Sequence, residues 1–175
     1  MGMKIVLIAS YDKSLINFRG ALLAAMVQAG HEVIACAPGN EPTMVVSLQK
    51  LGVRYKAISL DRTGINPLRD IRTLVQLFRL LWHLKPDITL GYTIKPVVFG
   101  SLAARLARVP HSFSLISGLG YAFVDSPKRS LKNRILNRLI RLLYRISLSK
   151  NRLVFFQNPD DRNLFVQLGL VNLAQ

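Results

Sequence analysis

Short β-branched apolar runs alternate with longer stretches of helical period along the whole chain. That alternation calls for parallel βαβ units rather than a meander or a bundle. Parallel neighbours need a crossover between them, so the helices must cover the sheet and the strands must be buried beneath them. The apolar runs predict strands over residues 4–9, 31–37, 53–58, 87–92, 110–115 and 152–157. Helical period predicts helices over 17–29, 43–51, 67–84, 96–108 and 127–149, with a last one from 159. The punctuation agrees. Gly30 and Gly52 stand where left-handed C-caps belong, Thr43 can cap the second helix, and Pro67, Pro96, Pro127 and Pro159 sit where a helix tolerates a missing N–H. The expected fold is therefore α/β, a doubly wound parallel sheet of Rossmann-like type. Ligands in such sheets bind beyond the carboxyl ends of the strands, here in the loops after Ala9, Ile58, Tyr92 and Leu115.

At 175 residues the chain has the size of one domain, and with half its residues hydrophobic it can bury a core. Its charge is less ordinary: 24 Lys and Arg against 9 Asp and Glu leave a net +15, more than solubility asks for, so a polyanionic partner is expected. Nucleic acid, anionic lipid headgroups and diphosphate-bearing substrates all satisfy that composition. Cys36 is the single cysteine and lies in an apolar run, which excludes a disulfide within the chain and fits a reducing, cytoplasmic setting. The apolar stretch before Tyr11 and Asp12 is too short for a signal peptide and reads as a strand. No apolar run reaches the length of a spanning helix, since Arg79, His83 and Lys85 interrupt the best candidate.

The loop after the first strand has none of the glycines of a dinucleotide or P-loop fingerprint, which disfavours NAD and ATP, and no cofactor is expected. Asn17 and Arg19 there are either an N-cap and a solvated first-turn residue or, with the helix N-terminus, an anion site. Thr93 and Lys95 after the fourth strand carry the same two readings. Ser117, Gly118, Gly120 and Tyr121 after the fifth supply either free amides or a plain turn. Asn158, Pro159, Asp160 and Asp161 have the spacing of a helix start, with acids favoured by the dipole. His31, His83 and His111 are scattered, so no metal site is expected, and no Ser-His-Asp set can be assigned.

Residues 128–152 contain nine Lys or Arg and no acid. Arg134, Arg138, Arg141 and Arg145 fall on one stripe of a helix, and Ile135, Leu139, Leu142 and Ile146 form the adjacent stripe. Such a cationic amphipathic helix either lies on an anionic bilayer surface or covers a sheet with a solvated basic face. Nucleic acid is not expected as a partner, because no recognition motif or aromatic platform accompanies the charge.

Six strings occur in order: Asn17-Phe18-Arg19, Gly30-His31-Glu32-Val33, Lys85-Pro86-Asp87-Ile88, Thr93-Ile94-Lys95-Pro96, Gly118-Leu119-Gly120-Tyr121, and Phe156-Gln157-Asn158-Pro159-Asp160-Asp161. Together they resemble the N-terminal domain of family 4 retaining glycosyltransferases, and among these the enzymes that act on undecaprenyl-diphosphate-linked acceptors in surface polysaccharide and glycan synthesis. The resemblance covers nearly the whole chain. It implies one half of a GT-B fold, with residues 1–175 as the acceptor-side domain and the C-terminal donor-binding domain, with its glutamate pair, absent. The chain would then be an excised piece, a truncated reading frame or one subunit of a split enzyme, inactive alone.

The resemblance further implies a nucleotide-sugar donor held by the missing domain and a lipid-diphosphate-linked sugar acceptor. Acceptor contacts would come from Asn17, Arg19, Thr93, Lys95, Ser117, Gly118, Gly120 and Tyr121. No catalytic base can be assigned. With the basic helix added, the expected setting is cytoplasmic, peripherally attached to the inner face of the membrane through Arg134, Arg138, Arg141 and Arg145. Three alternatives stand beside this: a non-catalytic membrane-docking subunit of a split glycosyltransferase, a nucleic-acid-binding α/β domain that rests on charge alone, and a hexosamine epimerase of the same fold, which needs acids and histidines in which the predicted cleft is poor.

Overall fold

A computed structural model of the chain describes residues 2–62, 64, 66–118 and 131–172, the side chains of 131–133 excepted. Six strands, β1 (Lys4–Ile8), β2 (Glu32–Ala37), β3 (Arg54–Ala57), β4 (Ile88–Tyr92), β5 (His111–Ile116) and β6 (Leu153–Phe156), form one sheet in the order β3-β2-β1-β4-β5-β6. Every pairing is parallel, as the alternating sequence pattern requires. The central strand β1 pairs with β2 from Lys4↔Glu32 to Ile8↔Cys36 and with β4 from Ile5↔Ile88 to Ile8↔Gly91.

Side chains alternate across the sheet, so β1 feeds two cores. Leu7 and Ala9 pack with Leu15, Leu23 and Leu48 from α1 (Lys13–Asn17), α2 (Gly20–Gln28) and α3 (Pro42–Lys50). Val6 and Ile8 pack on the other face with Leu77 and Leu81 of α4 (Pro67–Leu84) and Ala103 and Ala104 of α5 (Ile94–Leu106). A third cluster joins α5 to α6 (Leu131–Leu148) and α7 (Pro159–Gln167), where the Phe165 ring meets those of Tyr144 and Phe156 edge-on. Each fully buried large aliphatic side chain contributes about 1.5–3 kcal/mol through lost water contact. Between these cores the Asn151 amide donates to the Ser114 and Ser101 hydroxyls at 2.6 and 3.1 Å, so α5, β5 and the turn before β6 are tied by satisfied buried polar groups. On the α1–α3 face, Leu153 and Phe155 of β6 stay exposed.

Three local expectations are corrected. The helix expected over 17–29 is two helices: Asp12 caps α1 by accepting from the Lys13 N–H, Asn17 ends it, and Arg19 occupies the N-cap of α2 without a side-chain cap. Thr43 does not cap α3; the N-cap is Glu41, and Pro42 takes the first turn. The helix expected from Pro96 begins at Ile94, because Thr93 adopts φ 69° and turns the chain earlier. Pro127, expected to open the basic helix, lies outside the described residues.

The close fit of α5 on the sheet depends on Gly91, where an added Cβ would lie 2.7 Å from the Pro96 carbonyl oxygen. Gly91→Ala is therefore expected to destabilise the fold by about 1–3 kcal/mol through overpacking, read as a lower urea midpoint with unchanged slope. Burial pushes the Cys36 thiol up to about 12. An exposed thiol ionises lower, so folding stability is untouched in acid and neutral solution and falls as pH rises through the alkaline range towards 12. Native protein is expected to resist thiol labelling at pH 8 and to react only when urea unfolds it.

Candidate functional site

β1 and β4 lie side by side, but the helices that follow them leave to opposite faces of the sheet, which opens a crevice at the carboxyl ends of the two strands. The crevice is a cleft of about 310 Å³ with Ser10, Tyr92 and Thr93 at its base. The Thr93 hydroxyl donates to Ser10 Oγ at 2.8 Å, tying the two loops across the switch point. The Tyr92 hydroxyl lies 2.7 Å from Ser14 Oγ. Ser14 commits its own proton to the Tyr11 carbonyl, so Tyr92 is the donor of that pair. Burial raises the Tyr92 hydroxyl's pKa, against the lowering influence of Ser14 and the Arg19 charge, so the phenol stays protonated.

Thr93 is β-branched yet holds φ 69°, ψ 161°, a conformation that costs about 1–3 kcal/mol and persists only where its surroundings enforce it. Its hydroxyl is spent on Ser10, so no side chain caps α5, and the positive end of this 13-residue helix abuts the cleft. Two guanidinium groups flank that end. Arg19 sits 5.0 Å over the Tyr92 ring and Arg62 4.8 Å over the Tyr11 ring. Each ring face lies against its cation, a favourable cation–π contact that holds the charge beside the cleft. Arg19 donates to the Phe18 carbonyl, but its Nε is buried with no hydrogen-bond partner. No carboxylate or histidine lines the cleft among the described residues. The arrangement of described residues suits a phosphate or diphosphate.

The expected acceptor residues separate here. Arg19, Thr93 and Ser117 meet in the cleft. Asn17 faces a different hollow, between α1 and α3. Lys95 turns away from the cleft to Asp70 of α4, with Nζ to Oδ1 at 2.6 Å and both side chains about 15% exposed or less. Gly118 is exposed at φ 145° and borders no cavity described above. Gly120 and Tyr121 lie outside the described residues. Tyr11, Ser14, Arg62 and Gln157 also line the cleft and were not singled out. The rule that ligands sit beyond strand ends pointed to the loops bearing Tyr11 and Arg62, but nothing local marked these side chains within them.

The four arginines of the basic helix are not equivalent. Arg134 and Arg138 are exposed, and Arg141 is half-buried. Arg145 donates to the Leu168 and Gly169 carbonyls at 2.9 and 3.0 Å, which satisfies the C-terminal end of α7. The neighbouring apolar stripe is open to solvent: Ile135, Leu139, Leu142 and Ile146 are 61%, 47%, 50% and 42% exposed, while Tyr144 and Leu148 form the core side of α6. α4 carries a second such ridge of Leu68, Ile71, Val75 and Trp82, alongside exposed Arg72 and Arg79. Among the described residues no helix is long and apolar enough to cross a membrane, and no group of histidine, cysteine and acidic side chains could hold a metal.

The sequence profile of the family described as "Glycosyl transferase 4-like domain" matches residues 18–173. Over 96% of its length the chain is 27% identical to the N,N'-diacetylbacillosaminyl-diphospho-undecaprenol alpha-1,3-N-acetylgalactosaminyltransferase of Campylobacter jejuni, and it spans 43% of that protein. Among solved structures, a UDP-N-acetylglucosamine 2-epimerase superimposes with a TM-score of 0.65 at 15% identity, over 95% of this chain and 43% of that one. A glycosyltransferase from Rickettsia africae superimposes with a TM-score of 0.63 at 14% identity, over 98% and 41%. At such identities the two structures share the fold alone, and they divide between two chemistries.

The separation of Lys95 from the cleft has a measurable consequence. Lys95→Gln leaves Asp70 without its cation and is expected to cost on the order of 1–3 kcal/mol of stability in urea unfolding. It should leave anion binding in the cleft unchanged, as judged by calorimetric titration with inorganic diphosphate.

Proposed function

Because the chain belongs to the glycosyl transferase 4-like domain family, we propose that it is the acceptor-holding half of a GT-B glycosyltransferase. The acceptor is a sugar carried on a polyprenyl diphosphate, and a second domain holds the nucleotide-sugar donor. One observation carries this reading: the cleft at the β1/β4 switch point joins an uncapped helix N-terminus to two arginines held over tyrosine rings, and no acid lines it among the described residues. That chemistry takes a diphosphate without a metal to neutralise it. The relative from Campylobacter jejuni is named for a diphospho-undecaprenol acceptor, which is the same class of ligand. A hexosamine epimerase would need proton-moving acids and histidines in this cleft, and those that line it among the described residues include neither. A docking subunit of a split transferase would use the same outer ridges, but docking alone has no use for an anion cleft. The 175-residue chain alone is expected to turn over no nucleotide sugar.

Lipid-linked acceptors sit at the bilayer surface, and the exposed ridge of α6 with Arg134 and Arg138 provides the means to rest there. The chain is then a peripheral protein of the cytoplasmic face.

Calorimetric titration with inorganic diphosphate tests the cleft. Arg19→Gln and Arg62→Gln are each expected to weaken binding about ten-fold, the loss of one charge-assisted contact, whereas Asn17→Ala changes nothing. An undiminished affinity in both arginine variants refutes the acceptor assignment. Sedimentation with anionic vesicles tests the surface. Arg134→Gln with Arg138→Gln is expected to lower partitioning by roughly ten-fold or more at low salt, each cation near the surface contributing about 1 kcal/mol. Binding should be lost at high salt and absent with neutral vesicles. Unchanged sedimentation of the double variant would remove the membrane face from the proposal.

A further inference from the structure

We propose that the apolar groove over α5, between the start of α4 and the edge of α6, holds the first isoprene units of the acceptor's polyprenyl chain. The inference rests on the acceptor reading above and extends it to a second subsite.

The groove is a cavity of about 140 Å³ whose walls are Ile94, Val98 and Phe99 of α5 and Leu136, Leu139 and Leu143 of α6. Hydrocarbon of this kind, open to water, offers nothing to the sugar or the phosphates of a substrate and much to an alkyl or prenyl chain. Two features identify the occupant as the lipid of the acceptor rather than a free-standing apolar ligand. First, Arg62 borders both cavities, lining the anion cleft on one side and the groove on the other. A diphosphate held between Arg19 and Arg62 thus has its ester oxygen beside the groove mouth, and a chain attached there finds an apolar path directly next to the charged one. Second, the far side of the groove runs into the exposed ridge of α6, because Leu139 belongs to both. A chain that leaves the groove passes onto the surface that carries Ile135, Leu142 and Ile146, where the bilayer would receive it.

The one charged pair in the wall is neutralised within itself. Lys95 Nζ lies 2.6 Å from Asp70 Oδ1, so the groove presents no net charge to a hydrocarbon ligand at that point. This gives Lys95 a structural reason to stand outside the phosphate site. It joins α4 to α5 at the edge of the groove.

Calorimetric titration of the 175-residue chain without vesicles, using inorganic diphosphate and farnesyl diphosphate as the two probes, tests the proposal. Farnesyl diphosphate is expected to bind at least about ten-fold more tightly, the return from burying only a few methylene groups. Leu139→Ser removes one wall of the groove and Leu136→Trp fills it. Both are expected to reduce the preference to under about three-fold while inorganic diphosphate binds as before, which also shows that the variants are folded. Equal affinity for the two probes in the unaltered chain overturns the groove assignment and leaves the acceptor reading standing. A preference that survives undiminished in both variants also overturns it, by placing the prenyl chain elsewhere. If neither probe binds the unaltered chain, the acceptor reading itself falls.

Discussion

The parallel pairing of β1 with β4 is the constraint on which the site depends. The two strands are neighbours in space but far apart in sequence, and each sends its following helix to a different face. A crevice at their carboxyl ends is the geometric result. Gly91 sets how closely it is walled. With no Cβ there, the first turn of α5 lies against the end of β4, and Thr93 is carried to within hydrogen-bonding distance of Ser10. The strained backbone of Thr93 is then held by the sheet below and the helix beyond, not by its own preference.

The cationic composition resolves into several distinct uses once the fold is assembled. Arg19 and Arg62 lie over tyrosine rings and line a cleft to which no described residue brings an acid. Lys95 is neutralised by Asp70 between two helices, and Arg145 closes the end of α7. Arg134 and Arg138 remain at the surface beside a bare apolar ridge. A net charge of +15 is therefore not one surface but a sum of structural ties, a basic cleft and an outer face.

The helices α4, α5 and α6 account for the shape of that outer face. α5 is the buried member, small and apolar where it packs on the sheet, and the two longer helices rise on either side of it. Their outward ridges are apolar where a domain that met only water would be expected to carry polar residues. The groove between them opens next to the cleft at Arg62, so the polar and apolar demands of an amphiphile can be met in adjacent places.

Much of the architecture could be read locally. All six strands lie where the apolar runs fall, and α4 and α7 begin at the expected prolines, with Asn158 capping α7 through the Asp160 N–H. Helical and strand periods are local properties of the chain, and parallel pairing follows from their alternation, so the doubly wound sheet and the edge at which its strand ends open a crevice were determined by the sequence alone. The partners of individual side chains were not. Lys95 finds Asp70 at a separation of 25 residues, Arg145 finds the carbonyls of Leu168 and Gly169 at 23 and 24, and Arg62 reaches a cleft built by other loops. Asn17 looked like a helix cap because the break at Phe18 and Arg19 leaves no mark in the hydrophobic period. Each depends on where packing places one helix against another, a distance that no spacing along the chain encodes, and only the tertiary structure decided which cations hold the fold together and which line the cleft.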